Sequence, residues 1–131
     1  MMQKFNEKAA LNAIEQYRVT HSQWVPTMFI RLLRLPLEER ASHDLSSMRY
    51  AIHAAAPCPV WVKEQMIAWW GPILYEFYSG TELVGRTSLN SDEWMAHKGS
   101  VGKALNAIIH ICGEDGGEVP VGEEGVVYFE S

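Results

Sequence analysis

The chain has 131 residues, of which 47% are hydrophobic and 21% are charged, and its net charge at pH 7 is −5. A chain of this length buries roughly two thirds of its surface around one modest core, so we expect a single domain of ordinary soluble composition. The 11 basic residues are scattered along the sequence. This argues against nucleic acid as a partner, because phosphate binding needs a basic face.

Membrane and secretory signals are missing from the sequence. No stretch reaches the roughly twenty apolar residues that cross a bilayer, and residues 1–10 carry charges instead of the apolar centre of a signal peptide. Cys58 and Cys112 stand apart, without a C-x-x-C pair. That spacing favours reduced, buried thiols over a disulfide and offers no metal site, so we expect a cytoplasmic protein.

The first part of the chain predicts alternating helices and strands. Asn6 predicts an N-cap for a helix over residues 7–16, where apolar residues recur at helical spacing. A short strand at residues 19–21 and a second helix at residues 25–35 follow, with Pro26 in the first turn of that helix and Pro36 after its end. The remaining predicted elements are a core strand at 48–52, a helix from Pro59 to about Gly71, and a strand at 73–78.

The second part predicts short strands at residues 85–90, 108–111 and 124–130. The segment 113–122 is rich in glycine and acidic residues, which predicts a hairpin or long turn between the last two strands. We therefore expect an α/β fold with a central sheet and flanking helices, followed by short antiparallel strands. Residues 1–82 would form the α/β part and residues 83–131 the mostly β part of the same domain.

A polar cluster follows the strand predicted at residues 73–78, and its members are Tyr78, Ser79, Gly80, Thr81 and Glu82. An aromatic face stacks on a base, and small residues let the backbone approach a ligand closely. The hydroxyl and the carboxylate are suited to phosphate and magnesium. Ligands bind at the carboxyl ends of strands in α/β sheets, so the cluster indicates a nucleotide site. The alternative is a tight turn at Gly80 with a solvated Glu82.

Four blocks of sequence support the nucleotide interpretation. They read I-H-A-A-A-P at 52–57, E-F-Y-S-G-T-E at 76–82, G-S-V-G-K at 99–103 and D-G-G-E-V-P-V-G-E-E-G at 115–125. Acyl-CoA synthetases of the adenylate-forming superfamily have I-S-G-A-A-P, E-x-Y-G-x-T-E, G-S-V-G-[RK] and D-G-x-E-V-P-x-G-E-x-G in the same order. Over nearly all of its length the chain resembles this superfamily, and within it the bacterial fatty-acyl and aryl-acyl CoA ligases.

The resemblance implies a reaction in two halves. A carboxylic acid attacks the α-phosphate of ATP to give an acyl adenylate and pyrophosphate, and the thiol of CoA then displaces AMP. By analogy, Thr81 bonds the α-phosphate, Glu82 coordinates Mg2+, and Tyr78 lies against the adenine ring, with Ser79 and Gly80 also at the nucleotide. Thr81 and Glu82 are the expected catalytic residues.

The resemblance also implies a slot beside the adenine and the acyl chain, formed by Ala54, Ala55, Ala56 and Pro57. A plain strand-to-helix connection is the alternative for these residues. Three further residues are candidates for an acyl pocket, because apolar and aromatic walls suit a hydrocarbon or aryl tail; they are His53, Trp24 and Met28. Core packing is the alternative for each of them.

Some features of the family are absent from the sequence. Ala54 and Ser79 stand where relatives commonly have glycine, which is tolerable if the backbone there needs no positive φ. The phosphate loop, the ribose-binding Asp and the C-terminal Lys of the family do not occur in the 131 residues. We therefore expect an internal fragment of the large N-terminal domain of a synthetase, inactive alone and prone to self-association through uncovered apolar faces. The alternatives are a fragment of an enzyme that loads a carrier protein, or a non-catalytic nucleotide-binding or interaction module.

Overall fold

The computed structural model describes residues 4–82 and 84–130. Within these ranges the elements follow in the order α1 (Glu7–Gln16), β1 (His21–Trp24), α2 (Pro26–Leu33), α3 (Leu37–Ala41), β2 (Tyr50–His53), α4 (Val60–Trp70), β3 (Leu74–Ser79), β4 (Arg86–Asn90), α5 (Ser91–Ala96), β5 (Lys103–Ala104), β6 (Ile108–Cys112) and β7 (Val126–Glu130).

Strands β1 to β5 form one five-stranded sheet in chain order. The pairs β1–β2 and β2–β3 are parallel, whereas β4 and β5 are added in antiparallel fashion. Parallel neighbours need crossover connections, and the helices α2, α3 and α4 provide them. Strands β6 and β7 form a separate antiparallel pair. The predicted α/β fold, a central sheet followed by short antiparallel strands, is confirmed.

Local sequence explains where the main helices begin and end. The side chain of Asn6 accepts a hydrogen bond from the backbone N–H of Ala9 at 2.9 Å, which caps α1 as predicted. Pro26 occupies the first turn of α2, where its missing N–H costs nothing. Helix α4 ends at Gly71, whose φ of 82° suits a residue without a side chain.

Two short helices, α3 and α5, were not predicted. Pro36 ends the preceding segment as expected but is also the N-cap residue of α3. Helix α5 begins with a capping box, in which Asn90 and Glu93 exchange side-chain to backbone hydrogen bonds of 2.9 Å. Each helix has at most six residues. Apolar periodicity therefore has too few turns to reveal them.

Strand β1 lies later than the predicted strand at residues 19–21, which it meets only at His21. Its residues His21, Ser22 and Gln23 are polar and give no alternating apolar pattern. They pair in parallel register with β2 at one edge of the sheet. An edge strand tolerates polar residues because one side of it is open to solvent.

The core lies where helices α1, α2 and α4 pack on the first three strands. Its fully buried hydrophobic side chains are Leu11, Phe29, Leu32, Ala51, Val62, Met66 and Leu74. An aromatic cluster joins these elements, since the rings of Trp24 and Phe29 both pack against Trp70, with centroids 5.1 and 5.7 Å from its ring. None of the helices in the described part of the chain combines the length and apolarity of a bilayer-spanning segment.

The β6–β7 hairpin packs against the end of β3. The ring of Phe129 in β7 stacks on Tyr78 with centroids 6.3 Å apart. Gly85 lies under the same ring, because a Cβ added there would come within 2.3 Å of it. The hairpin is thereby brought next to the carboxyl ends of the parallel strands.

Candidate functional site

A groove of about 810 Å³ crosses the carboxyl ends of β1, β2 and β3. It is lined by Gln23, Trp24, Val25, Ala54, Ala55, Ala56, Pro57, Glu76, Phe77, Tyr78, Ser79, Gly80, Thr81, Val101 and Val127. Parallel strands end at a common edge, so segments that follow β2 and β3 meet there. The segments 54–57 and 78–81, far apart in sequence, therefore form one concave surface.

The segment 54–57 forms the wall between β2 and α4 with side chains no larger than proline. Ala55 has a φ of 74°, a left-handed conformation that costs a non-glycine residue about 1–2 kcal/mol. Neither Ala54 nor Ser79 has a positive φ. Their replacement of glycine therefore adds no backbone strain in this fold.

The turn after β3 is fixed by Ser79 and presents Tyr78 to the groove. The hydroxyl of Ser79 donates to the carbonyl oxygen of Gly85 at 2.8 Å, which closes the loop that follows. Tyr78 is 43% exposed although one side of its ring stacks on Phe129. Its remaining surface offers an aromatic face for a flat ligand.

Thr81 and Glu82 lie at the rim of the groove. Thr81 is an exposed residue of the lining. Glu82, the next residue, is also exposed but lies outside the groove lining. Its carboxylate lies over Gly80, because a Cβ added to Gly80 would be 2.8 Å from Oε2 of Glu82. Within residues 4–82 and 84–130, no cluster of three or more His, Cys, Asp or Glu side chains forms a metal site.

A buried charged cluster lies under the groove. The Nζ of Lys63 in α4 donates to Oε2 of Glu76 in β3 at 2.6 Å, and both side chains are buried. The Nε2 of His53 is 3.6 Å from the same oxygen. The ammonium of Lys63 also lies 5.0 Å from the ring centroid of Trp94, which adds a cation–π contact.

The cluster changes the pKa of its members in defined directions. Burial lowers the pKa of His53 to about 3, helped by the positive charge of Lys63, so this imidazole is neutral at pH 7. Burial also lowers the pKa of Lys63, while the hydrogen bond to Glu76 opposes that change. The pKa of the Cys58 thiol is raised to about 11 by burial and by the charge of Glu76, which makes it a poor nucleophile at neutral pH.

Of the three acyl-pocket candidates, Trp24 lines the groove, while Met28 and His53 lie outside its lining. The His53 side chain is fully buried and packs against Phe29, with ring centroids 5.6 Å apart. Met28 is partly buried and packs against the core. Trp24 belongs to the groove lining and also to the core, because its side chain is only 6% exposed and packs in the aromatic cluster.

Several lining residues were not expected from the sequence. Glu76, Gln23 and Phe77 lie on the strands that end at the groove, while Val101 and Val127 reach it from later segments. The sequence does contain an indication that Glu76 has a special role. Glu76 is the one charged residue of β3, and a charge at a buried position requires a partner.

The sequence of the chain matches the profile of a known protein family. The sequence profile described as AMP-binding enzyme matches residues 1–131. The chain belongs to the AMP-binding enzyme family.

Two solved structures of synthetases share this fold. The amide bond synthetase McbA from Marinactinospora thermotolerans is 28% identical, with a TM-score of 0.82 over 99% of this chain and 27% of its own. The o-succinylbenzoate CoA synthetase MenE from Bacillus subtilis, in complex with the acyl-adenylate intermediate OSB-AMP, is 26% identical, with a TM-score of 0.75 over 96% of this chain and 25% of its own.

A curated relative matches part of the sequence. The 4-coumarate–CoA ligase 2 of Oryza sativa subsp. japonica is 44% identical over 57 residues, which are 44% of this chain and 10% of the relative. The chain thus spans a tenth to about a quarter of the length of these three proteins.

Proposed function

We propose that the chain supplies part of the adenylate site of an ATP-dependent acyl-CoA synthetase. The observation that carries the proposal is the convergence of segments 54–57 and 78–81 on one groove at the carboxyl ends of parallel strands. These segments contain the family's small-residue and nucleotide blocks. Their meeting gives one ligand simultaneous access to an aromatic ring, a narrow backbone wall and a hydroxyl.

The adenylate would lie along this groove. The ring of Tyr78 receives the adenine by stacking, and Ala54, Ala55, Ala56 and Pro57 leave room for a flat or slender ligand beside the main chain. The hydroxyl of Thr81 donates a hydrogen bond to the α-phosphate, where negative charge increases as the carboxylate of the acid attacks phosphorus and pyrophosphate leaves. In the second half the CoA thiol attacks the acyl carbonyl carbon, and AMP departs.

Magnesium fits the rim of the groove as a shared ligand. Mg2+ in phosphate-transfer sites is commonly held by one or two carboxylates together with substrate phosphates, and Glu82 offers one exposed carboxylate next to Thr81. When bound, the ion supplies neutralisation of phosphate charge. Glu82 would hold it, and Thr81 would orient the same phosphate.

The acid is proposed to be a fatty or aryl acid. Apolar side chains dominate the remaining wall, and they are Trp24, Val25, Phe77, Val101 and Val127. Such a wall suits a hydrocarbon or aromatic tail.

The experiment that tests the proposal is ATP–pyrophosphate exchange, measured for the 131-residue chain and for a longer protein in which it is joined to the other segments of a synthetase. We expect acid-dependent exchange by the longer protein and none by the chain alone. A second assay offers CoA, a holo carrier protein or an amine to the adenylate formed. Absence of exchange by the longer protein with every fatty and aryl acid would contradict the adenylation function, while transfer only to carrier protein or amine would contradict the CoA acceptor.

A further inference from the structure

The β6–β7 hairpin has one face at the groove and a charged cluster on its opposite face. Residues directly opposite each other in an antiparallel pair point to the same face, and neighbours along a strand alternate between faces. His110 lies opposite Tyr128 and therefore points away from the face of Val127 and Phe129. Val127 belongs to the groove lining, and the ring of Phe129 stacks on Tyr78.

The imidazole of His110 is bonded at both of its nitrogen atoms. Its Nδ1 lies 2.5 Å from Oε1 of Glu118, and its Nε2 lies 2.9 Å from Oε2 of Glu130. Strand β6 runs between the segments of the two carboxylates, because Cys112 pairs with Val126 of β7 and also forms a bridge to Glu118. His110 thereby connects the turn that follows β6 to the end of β7.

Both contacts can be hydrogen bonds only when the ring is charged. An ionised carboxylate accepts hydrogen bonds, and a neutral imidazole has one N–H group where the imidazolium has two. The hydrogen bond with Glu118, followed by that with Glu130, raises the pKa of His110 above its usual 6.5, and burial opposes this change. Cys112 and Tyr128 are the other titratable side chains on this face of the two strands, and neither shifts this pKa.

The raised pKa sets the sign of the pH dependence. The contribution of this cluster to hairpin stability is fully present below pH 6.5 and is lost as the pH rises through the pKa of His110 in the folded chain. One carboxylate then faces a ring nitrogen that has no proton. Both carboxylate side chains are 66% exposed, so we expect a modest change of about twofold to tenfold in the opening equilibrium of the hairpin.

We propose that protonated His110 is a positioning residue, which holds β7 at the groove through Glu118 and Glu130 and releases it as the pH rises. His110 lies outside the groove lining, so it acts through β7, which carries Val127 and Phe129. The effect on a ligand rests on the proposed function, since it requires that ATP binds beside these two side chains.

The first measurement is amide hydrogen exchange of β7 in the 131-residue chain at pH 6 and pH 8.5. Protection factors are compared, so that the intrinsic pH dependence of exchange is removed, and the amides of α1 are the internal reference. We expect protection in β7 to fall by about twofold to tenfold at the higher pH while that of α1 changes less. The midpoint of the change should coincide with the titration of the His110 ring followed by NMR.

The variants separate the charge of the ring from its shape. His110→Arg keeps a positive charge and N–H groups for both carboxylates at every pH, and His110→Gln has no charge. The control is His97→Gln, at an exposed imidazole directly after α5. We expect β7 protection to stay high and independent of pH in His110→Arg, to stay low at both pH values in His110→Gln, and to follow wild type in His97→Gln.

The second measurement is the KM for ATP and the kcat of pyrophosphate release in the longer protein. Each wild-type value is divided by the value for His110→Arg at the same pH, which removes pH effects on the reaction itself. We expect the KM ratio to rise by about twofold to tenfold from pH 6 to pH 8.5, and the kcat ratio to stay within about twofold, because a less firmly docked β7 weakens binding.

The outcomes separate the role of His110 from the proposed function. Protection in β7 that is equal at both pH values in wild type, or a pH dependence that persists in His110→Arg, would overturn the inference. A KM ratio that does not change with pH in a longer protein that turns over ATP would overturn the positioning role. The expected exchange behaviour in a longer protein that binds no ATP would support the role of His110 in holding β7 and contradict the proposed function.

Discussion

Thr81 is the residue whose hydroxyl bears most directly on the proposed chemistry. It lines the groove. Thr81→Ala should reduce the adenylation rate of the longer protein by something on the order of a hundredfold, as occurs when one donor to a developing negative charge is lost. The measurement is pyrophosphate release at saturating ATP and acid. Thr27→Ala, the same substitution at an exposed residue of α2 outside the groove, is the control, and equal rates for both variants would contradict the assignment.

Lys63 and Glu76 form a buried pair in which each charge depends on the other. Lys63→Met should lower the free energy of unfolding of the chain by about 3–5 kcal/mol, because it leaves an uncompensated buried carboxylate. Lys63→Met/Glu76→Leu should recover most of this loss, since neither charge is then buried. Urea denaturation of wild type, Lys63→Met, Glu76→Leu and the double variant completes a thermodynamic cycle. Additive effects of the two substitutions would show that the pair does not behave as one unit.

The buried His53 should make the free energy of unfolding of the chain depend on pH. Its pKa is lowered from 6.5 to about 3 in the folded chain. Below pH 6.5 the unfolded chain binds a proton that the folded chain does not, so the free energy of unfolding falls as the pH decreases towards 3. Between pH 7.5 and pH 5 the His53 contribution to this loss is about 2 kcal/mol.

The measurement is the difference in unfolding free energy between these two pH values. His53→Asn should remove about 2 kcal/mol of that difference, because the imidazole beside Lys63 and Glu76 is gone. His97→Asn changes an exposed imidazole and is the control. A pH dependence that is the same in wild type and His53→Asn would refute the buried neutral imidazole.

At the level of elements, the entry into β5 depends on close contact with β4. Gly102 has a φ of 94°, and a Cβ there would lie 2.2 Å from the carbonyl oxygen of Ser88. Gly99 has a φ of 89° with open space around it. Gly102→Ala should therefore destabilise the chain by both strain and collision, whereas Gly99→Ala pays only the strain of about 1–2 kcal/mol.

Chemical denaturation of the two alanine variants separates these causes. We expect Gly102→Ala to cost at least about 1 kcal/mol more than Gly99→Ala, because the β4–β5 pairing must move to admit the methyl group. Equal losses of unfolding free energy in the two variants would mean that β5 moves to admit the methyl group without any energetic cost, which would contradict the prediction.

The elements that sequence predicted well are those specified locally. Helix α1 has its cap in Asn6 and its apolar face within three turns, and both are visible in the sequence. Strand β1 was misplaced because its polar residues are determined by the edge position and by pairing with β2. Strand pairing is determined by tertiary structure, so the sequence of one short strand does not reveal it.

The groove likewise contains segments whose position the sequence indicates and segments whose position depends on tertiary packing. Segments 54–57 and 78–81 follow parallel strands, so the common edge could be inferred from the element order. Val101 lies in the segment before β5 and Val127 lies in β7, and the placement of neither segment has a local signature in the sequence. The resemblance of four sequence blocks drew attention to segments 54–57 and 78–81, which line one groove, while the buried contact between Lys63 and Glu76 required the structure.

At the scale of the whole molecule, the hairpin leaves apolar side chains uncovered. On the face that β6 and β7 share, Ile108, Val126 and Tyr128 are 53–59% exposed. We predict concentration-dependent self-association of the chain through this face, because these three large apolar side chains are exposed to solvent. Sedimentation velocity of wild type and Ile108→Lys/Val126→Lys tests this.

The control for the hairpin variant is Val121→Lys, which adds a charge in the preceding turn at a residue that is fully exposed. The double variant should be monomeric at concentrations where wild type and Val121→Lys associate. A wild-type chain that remains monomeric, or a double variant that associates as wild type does, would contradict the prediction.

The stacking of Phe129 on Tyr78 joins β7 to the end of β3. If a purine favours the docked arrangement of these rings, linkage requires that docking favour the purine by an equal free energy. AMP should then slow amide hydrogen exchange in β7, and Phe129→Ala should weaken AMP binding although it lies in another sheet. Purine affinity would then report whether the β6–β7 hairpin is docked on the end of β3.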